Sequence, residues 1–179
     1  MIEDIYVEKS IKNQKITLQV MERIKPKNII FCNNYKEVFN PRNQNFKLQK
    51  IKPSLILAKK NNNLLTQIPE NFTIGGQKNF YFSHMLNCIY DCRYCFLQGM
   101  FNSANYVVFV NYNDFKKEIY KQIELYKSET IHFFSGYDCD SLALEPMTHF
   151  FSIFMKNLNL PKNSLIEIKK KSTQINFLL

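Results

Sequence analysis

Residues 87–101, "NCIYDCRYCFLQGMF", place three of the chain's five cysteines within a stretch of eight residues. Cys88 and Cys92 are separated by three residues, and Cys92 and Cys95 by two. In a reducing compartment, thiols this close together indicate metal binding or catalysis before a disulfide. The stretch therefore raises the question of what binds three thiolates on one loop and no fourth.

The bulk composition is that of a folded globular protein, with 45% hydrophobic and 22% charged residues in a chain of 179. Such a length fits one domain or two small ones. No run approaches the ~20 apolar residues of a membrane-spanning helix, and the opening "MIEDIYVEKS" lacks the pattern of a signal peptide. We predict a cytoplasmic protein with no membrane partner.

A formal net charge of +9 favours a nucleic-acid partner, because phosphate backbones attract Lys and Arg. The chain is also crowded with Asn, Lys and Ile, as in the stretch "AKKNNNLL". A compositional bias of that kind would raise the charge without any binding role. Charge alone leaves both interpretations open.

The first part of the chain alternates strand and helix patterns. Short apolar runs predict strands at residues 4–10, 27–32 and 54–59. Ile16, Val20 and Met21 recur at helical spacing between the first two runs. Pro and Gly residues mark a connector over residues 61–77. We predict an N-terminal α/β domain, with its connector, over residues 1–77.

A second alternating pattern begins near Phe80. Apolar runs predict strands at residues 79–84, 106–112, 131–136 and 164–171. Helices are predicted from Asp114 to Lys127 and from Glu145 onward, with an apolar stripe that continues to Leu158. Strands and helices at this spacing indicate a parallel sheet, open or barrel-like. Residues 78–179 are predicted to form this second domain.

The cysteine spacing leaves two metal chemistries open. Structural zinc usually takes four ligands in two separated pairs, so His84 or Cys139 would have to complete a zinc site. A 4Fe–4S cluster is usually held by four thiolates, one on each iron. Three thiolates on one loop would hold three irons and leave the fourth to another ligand. The spacing favours the cluster, and zinc remains the alternative.

The CxxxCxxC motif after a strand resembles the signature of the radical S-adenosylmethionine (radical SAM) enzymes, and "CRYCFLQGMF" resembles the matching segment of the spore photoproduct lyase family. Further similar stretches are residues 5–10, 29–32, 133–150 and 165–179. The resemblance implies an α/β fold: a small N-terminal α/β domain followed by the first half of a partial (β/α)6 radical SAM barrel. It also implies repair of UV-induced thymine lesions in DNA through a 5′-deoxyadenosyl radical.

The resemblance carries over to individual positions of the cysteine loop. Cys88, Cys92 and Cys95 fall on the family's ligands to a 4Fe–4S cluster, whose open iron binds SAM. Tyr94 falls on the tyrosine that lies beside SAM. The missing fourth ligand would then be the cofactor itself.

Two further positions come from the end of the chain. If Leu178 and Leu179 set the register, Lys171 falls on the family's lysine that contacts the SAM carboxylate, with Ser172 beside it. A solvated strand end is the alternative interpretation of Lys171, because Lys169 and Lys170 precede it directly. Both interpretations stay open at the level of the sequence.

The chain departs from the family where the hydrogen atom is returned to the product. The lyase has a cysteine at the position of Tyr137, and Cys139 stands where the lyase has a serine. Phe96 replaces a tyrosine of the hydrogen relay. Tyr137 and Cys139 are therefore the candidate catalytic residues, with a small buried residue as the alternative role of Cys139. A radical SAM protein with another substrate, or an inactive cluster-binding or DNA-binding fragment, is the alternative function.

The family's barrel has about six strands, and this chain reaches what looks like the third. We therefore expect a truncated or split form in which a second chain supplies the rest of the barrel. The resemblance further implies DNA as a partner and a flavodoxin or ferredoxin as electron donor. It implies a carbon–carbon lyase, although we do not expect full turnover from this chain alone.

Overall fold

The computed structural model describes residues 2–39, 42, 44–72, 74–90 and 92–173. The strands in this part of the chain are β1 (Asp4–Glu8), β2 (Asn28–Cys32), β3 (Leu55–Ala58), β4 (Thr66–Gln67), β5 (Lys78–Phe82), β6 (Met85–Leu86), β7 (Tyr106–Phe109), β8 (Ile131–Ser135) and β9 (Ser164–Ile168). The α-helices are α1 (Lys15–Ile24), α2 (Phe46–Ile51), α3 (Tyr112–Leu125), α4 (Glu145–Thr148) and α5 (Phe150–Ile153). No helix among these residues is both long and apolar enough to span a bilayer.

The chain forms two compact units. The first comprises Met1–Lys59 with Met85–Val110, and the second comprises Lys60–His84 with Asn111–Leu179. Each unit is built around one sheet. Compactness within one structure describes packing and not independent folding, so the domain division at residue 77 stays a prediction.

The first sheet has the strand order β2-β1-β3-β7-β6. Its first four strands are parallel, and β6 runs antiparallel to β7. Ile5 pairs with Leu55, and Leu57 pairs with Val108, and all four side chains are fully buried. Parallel strands covered on both faces are expected to be this uniformly apolar.

The strand β7 lies in a different sheet from the one that the sequence indicates. The run at residues 106–112 is predicted with the second group of strands, but β7 pairs with β3 in the first sheet, where Ile56 faces Val107. All four residues of β7 are buried. An apolar run of this kind predicts a buried central strand but does not show which strand pairs with it. The prediction of the sheet to which β7 belongs was therefore wrong.

The second sheet has the order β4-β5-β8-β9, with β5, β8 and β9 parallel and β4 antiparallel to β5. Phe80, Phe133 and Ile166 form one row across the parallel strands, and the Phe80 and Phe133 rings stack at 5.7 Å. On the same side, Phe82 packs against Phe115 of α3 at 6.0 Å. Helices thus cover this face of the sheet.

The helix predicted from Glu145 to Leu158 is interrupted. His149 has φ 48°, in the left-handed region, and separates α4 from α5. The Glu145 carboxylate accepts the backbone N–H groups of Phe151 at 2.9 Å and Ser152 at 3.4 Å, at the start of α5. Burial raises the pKa of Glu145, and these hydrogen bonds oppose the shift. A buried side-chain cap therefore makes the break, and periodicity alone does not reveal it.

Candidate functional site

The cysteine loop begins at Asn87, directly after β6. Asn87 has φ 70°, a conformation that Asn tolerates better than most residues, and its Oδ1 accepts the Cys88 N–H at 3.0 Å. Its Nδ2 donates to the carbonyls of Ser103 at 2.9 Å and Asn105 at 3.1 Å. One side chain therefore closes both ends of the loop that carries the three cysteines.

The returning end of the loop is fixed to the first unit by a second amide. Gln49 Oε1, on α2, accepts the Ala104 N–H at 2.9 Å and the Ser103 hydroxyl at 3.3 Å. Asn105 Oδ1 in turn accepts the Ser54 N–H at 2.9 Å, next to β3. The base of the loop is thus held by polar side chains of the first sheet and α2.

The three predicted ligands lie on this loop, and none of them is part of a disulfide. Cys88, Cys92 and Cys95 are all partly exposed. Cys95 donates its N–H to the Cys92 carbonyl at 2.9 Å, which forms a turn between the last two thiols. The sequence predicts the shared loop, and the structure places all three residues on it.

The thiols do not form a metal site in this conformation. No three His, Cys, Asp or Glu side chains among the described residues are arranged to hold a metal ion. The described residues likewise contain no such group that includes His84 or Cys139, the fourth ligand in the zinc alternative. The chemistry of the donors suits iron or another thiophilic metal.

Two aromatic residues flank the last cysteine. Tyr94 is 76% exposed, and Phe96, at the start of a short 3-10 helix, is also exposed. Leu97 in the same turn is buried and, with Cys88 and Asn87, lines a small cavity beside α2. Leu97 therefore anchors the turn, while the Tyr94 ring is accessible to a ligand. Its contact with SAM stays a prediction.

The second unit places its candidate residues beyond the carboxyl end of β8. Tyr137 is 42% exposed, and its ring stacks on Tyr81 of β5 with centroids 4.4 Å apart and an interplanar angle of 29°. Cys139 is 4% exposed. The two residues that the sequence leaves as competing hydrogen-atom donors therefore differ in access to a ligand, and only Tyr137 presents itself to solvent.

Polar groups that the sequence analysis does not single out surround Cys139. The Lys60 ammonium donates to the Ser83 carbonyl at 3.4 Å, and the Ser83 hydroxyl accepts the Asp138 N–H at 2.9 Å. Burial lowers the pKa of Lys60, while the charges of Asp138 and Cys139 act in the opposite direction. Burial likewise raises the pKa of Asp138. Lys60 lies in the "AKKNNNLL" stretch, and the bias of that stretch toward Lys and Asn gives no reason to single out one lysine.

The segment after β9 is held by Asp140. Its Oδ1 accepts the Leu142 N–H at 2.9 Å, and its Oδ2 accepts the N–H groups of Lys171 and of Ser172, the latter at 2.8 Å. Ser172 is buried, while the side chain of Lys171 is exposed. The backbone at both predicted positions is therefore ordered. The pair Leu178-Leu179 that set their register lies outside the described residues.

His84 lies in the interior of the second unit. Its ring is fully buried and stacks on Phe150, with centroids 3.5 Å apart and an interplanar angle of 2°. Neither ring nitrogen has a hydrogen-bond partner among the described residues. Burial, with a smaller effect of the Lys60 charge, lowers the pKa of His84 to about 3. The ring is therefore neutral at ordinary pH.

The order of strands and helices defines the fold class of the protein. It is a mixed α/β fold built on two largely parallel sheets. The particular likeness is to spore photoproduct lyase, which the sequence resemblance predicts and the fold confirms. No known protein family and no curated protein match the sequence itself.

Three solved structures illustrate the likeness. A double mutant of spore photoproduct lyase with bound AdoMet and dinucleoside spore photoproduct has a TM-score of 0.78 and 14% identity, over 99% of this chain and 52% of that one. A single mutant has a TM-score of 0.77 and 15% identity over the same shares. The lyase complexed with dinucleoside spore photoproduct has a TM-score of 0.71 and 15% identity, over 93% and 48%. This chain thus spans about half the length of the structures it matches.

Proposed function

We propose that this chain is a radical SAM protein related in role to spore photoproduct lyase, acting on UV-induced thymine lesions in DNA. The observation that carries the proposal is the CxxxCxxC loop, closed by Asn87, within a fold that matches half of that lyase. Cys88, Cys92 and Cys95 would hold a 4Fe–4S cluster. Such a cluster, with SAM bound, supplies a 5′-deoxyadenosyl radical.

The chain's own residues have separate parts in this proposal. The Tyr94 ring is exposed next to Cys95 and would pack against the adenine of SAM. Lys171 would pair with the SAM carboxylate, since an ammonium forms a strong charge-assisted hydrogen bond with that group. Asp140 fixes the Lys171 backbone, and Ser172 is buried beside it.

Tyr137 and Cys139 remain the candidates for the return of a hydrogen atom. The exposure of Tyr137 favours it over the buried Cys139. A flavodoxin-like or ferredoxin-like electron donor, and a second chain that supplies further barrel strands, complete the proposal. The sequence resemblance motivates both.

The first experiment tests the metal. Anaerobic reconstitution with iron and sulfide is expected to give a brown protein with about four irons per chain, one cluster's worth. Replacement of Cys88, Cys92 and Cys95 together by Ala is expected to abolish the colour, and Cys32→Ala, which removes a buried thiol of the same unit, is the matched control. A colourless protein with one bound zinc would contradict the proposal and favour a zinc site.

A second candidate function is a cluster-binding or DNA-binding module without turnover. It is favoured by the two departures from the resemblance, Tyr137 in place of a cysteine and Phe96 in place of a tyrosine of the hydrogen relay. Incubating the reduced, reconstituted protein with SAM separates the candidates, because only an enzyme forms 5′-deoxyadenosine. UV-irradiated DNA then separates a lyase from a radical SAM protein with another substrate.

A further inference from the structure

The parallel strands of the second sheet have a second face, opposite to α3, on which Phe134 is buried while Leu165 and Glu167 are exposed. Register places Tyr81, Phe134 and Glu167 in one row, opposite to the row of Phe80, Phe133 and Ile166 that packs toward α3. Leu165, two residues before Glu167 and on the same side, is 53% exposed. We call the side with Tyr81, Phe134, Leu165 and Glu167 the aromatic face.

Tyr137 extends this face beyond the end of β8, where its ring stacks on Tyr81 of β5. The rings of Tyr81 and Tyr137 stack 4.4 Å apart and are tilted by 29°, and Tyr137 keeps 42% of its surface exposed. A ring pair of this kind is rigid, because each ring restricts the rotation of the other. An exposed aromatic ring held in place is the arrangement on which nucleic-acid bases stack.

The charges around the aromatic face match a nucleic-acid strand. Lys169 places its ammonium 5.7 Å from the centroid of the Phe134 ring, and Lys170 and Lys171 follow it along the chain with exposed side chains. Glu167 contributes a carboxylate to the same row as Phe134. The carboxylate disfavours a phosphate directly over the face, while the lysines beyond β9 attract one. A neutral base therefore fits the tyrosines, and its backbone fits the lysines.

We propose that Tyr81 and Tyr137 form a stacking platform for an unpaired base of single-stranded DNA, with Lys169 neutralising the adjacent phosphate. The inference rests on the proposed function for the choice of DNA. It gives Tyr137 a role in binding that needs the ring and not the hydroxyl. The platform does not require the metal cluster, so it is measurable on the full chain before reconstitution.

The test is fluorescence anisotropy with a labelled oligothymidylate and with an abasic oligonucleotide of equal length. Tyr137→Ala and Tyr81→Ala are each expected to weaken binding of oligothymidylate about ten-fold. Tyr137→Phe is expected to bind normally, because Phe retains the stacking ring. Phe72→Ala, which removes an exposed aromatic side chain outside the sheet, is the matched control. The abasic strand is expected to bind all of these variants equally.

The proposed phosphate contact of Lys169 is tested by the salt dependence of oligonucleotide binding. Lys169→Ala is expected to lower the slope of log affinity against log salt by about one, for both oligonucleotides, because one phosphate contact is lost. An unchanged slope would overturn the assignment of Lys169.

The platform is overturned if Tyr137→Ala and Tyr81→Ala bind oligothymidylate as the unsubstituted chain does, or if Tyr137→Phe loses as much affinity as Tyr137→Ala. Equal binding of oligouridylate, with the same losses, would overturn the restriction to DNA. Replacing Cys88, Cys92 and Cys95 by Ala tests the proposed function by iron content, and that variant is expected to keep its oligothymidylate affinity. Failure of the cluster and failure of the platform are therefore separate results.

Discussion

The Asp140 carboxylate accepts the Ser172 N–H at 2.8 Å and so joins the loop after β8 to the segment after β9. The two residues are 32 positions apart in the sequence. The same carboxylate also accepts from Leu142 at 2.9 Å within its own loop. Asp140 therefore fixes the position of Lys171 relative to the loop that carries Tyr137.

We predict that Asp140→Asn lowers the free energy of unfolding by about 2 kcal/mol, because an amide cannot accept on both of its terminal atoms and leaves a buried N–H unpaired. Urea denaturation measures this loss. Amide exchange at Lys171 and Ser172 should accelerate in the same variant. Glu124→Gln makes the same chemical change at an exposed position and is expected to be neutral. Unchanged amide exchange at residues 171 and 172 would show that the Asp140 carboxylate does not hold this segment.

The turn after β8 requires glycine. Gly136 has φ +78°, and a Cβ there would clash with the Ser141 Oγ and lie 2.9 Å from the Cys139 carbonyl oxygen. Gly136→Ala is therefore expected to cost about 2 kcal/mol or more, from backbone strain and the contact with backbone atoms.

Gly99→Ala is the matched control for that change. No atom lies within 4 Å of a Cβ at Gly99. Its effect on the denaturation midpoint should be small. Equal midpoints for the two variants would show that the turn at Gly136 relaxes without cost.

The buried imidazole predicts a loss of stability in acid. The pKa of His84 falls from 6.5 to about 3 on folding, so the unfolded chain takes up a proton in this interval that the folded chain excludes. The free energy of unfolding should decrease as pH falls below about 6.5, by about 1.4 kcal/mol per pH unit. At about pH 5 the contribution of this residue is thus a loss of about 2 kcal/mol.

His84→Phe should remove that dependence, because Phe keeps the stack on Phe150 and has no proton to bind. Denaturation of both proteins near neutral pH and near pH 5 isolates the effect as a difference of differences. If the variant loses as much stability in acid as the unsubstituted chain, another group is responsible.

The closure of the cysteine loop by Asn87 predicts a change in local stability. Asn87→Ala removes the hydrogen bonds to the Ser103 and Asn105 carbonyls. It also places Ala at φ 70°, a conformation that Ala tolerates less well than Asn. Trypsin should then cleave after the exposed Arg93 faster, in protein without metal. Reconstituted iron content should fall as well.

Asn62→Ala is the control for this experiment, since Asn62 is an exposed asparagine of the second unit. Cleavage after Arg93 at an unchanged rate in Asn87→Ala would mean that the loop is held by other contacts.

The sequence predicts elements whose patterns are local. The β1, β2 and β3 strands and α1 follow from short apolar runs and helical spacing, and the cysteine loop follows from its spacing. The α/β fold and its likeness to half of spore photoproduct lyase are confirmed. The functional roles of Cys88, Cys92 and Cys95 stay predictions, since iron binding is not tested by the fold.

What the sequence misses depends on contacts between distant residues. The four buried residues of β7 suit either sheet, and only pairing with β3 decides between them. The break at His149 depends on the Glu145 cap. The different exposures of Tyr137 and Cys139, two residues apart, arise because one ring rests on Tyr81 while the thiol turns inward. None of these contacts leaves a periodic signal.

The first sheet ends in β2, and this strand affects how the protein must be handled. Ile29, Ile30 and Phe31 are exposed along a strand whose outer backbone groups face away from β1. Such an edge can template pairing with another copy, which natural sheets usually oppose with local charge. Here the net charge of +9 provides only a diffuse repulsion, and salt screens it. The colloidal stability of the protein should therefore decline as ionic strength rises, and light scattering across a salt series would record it.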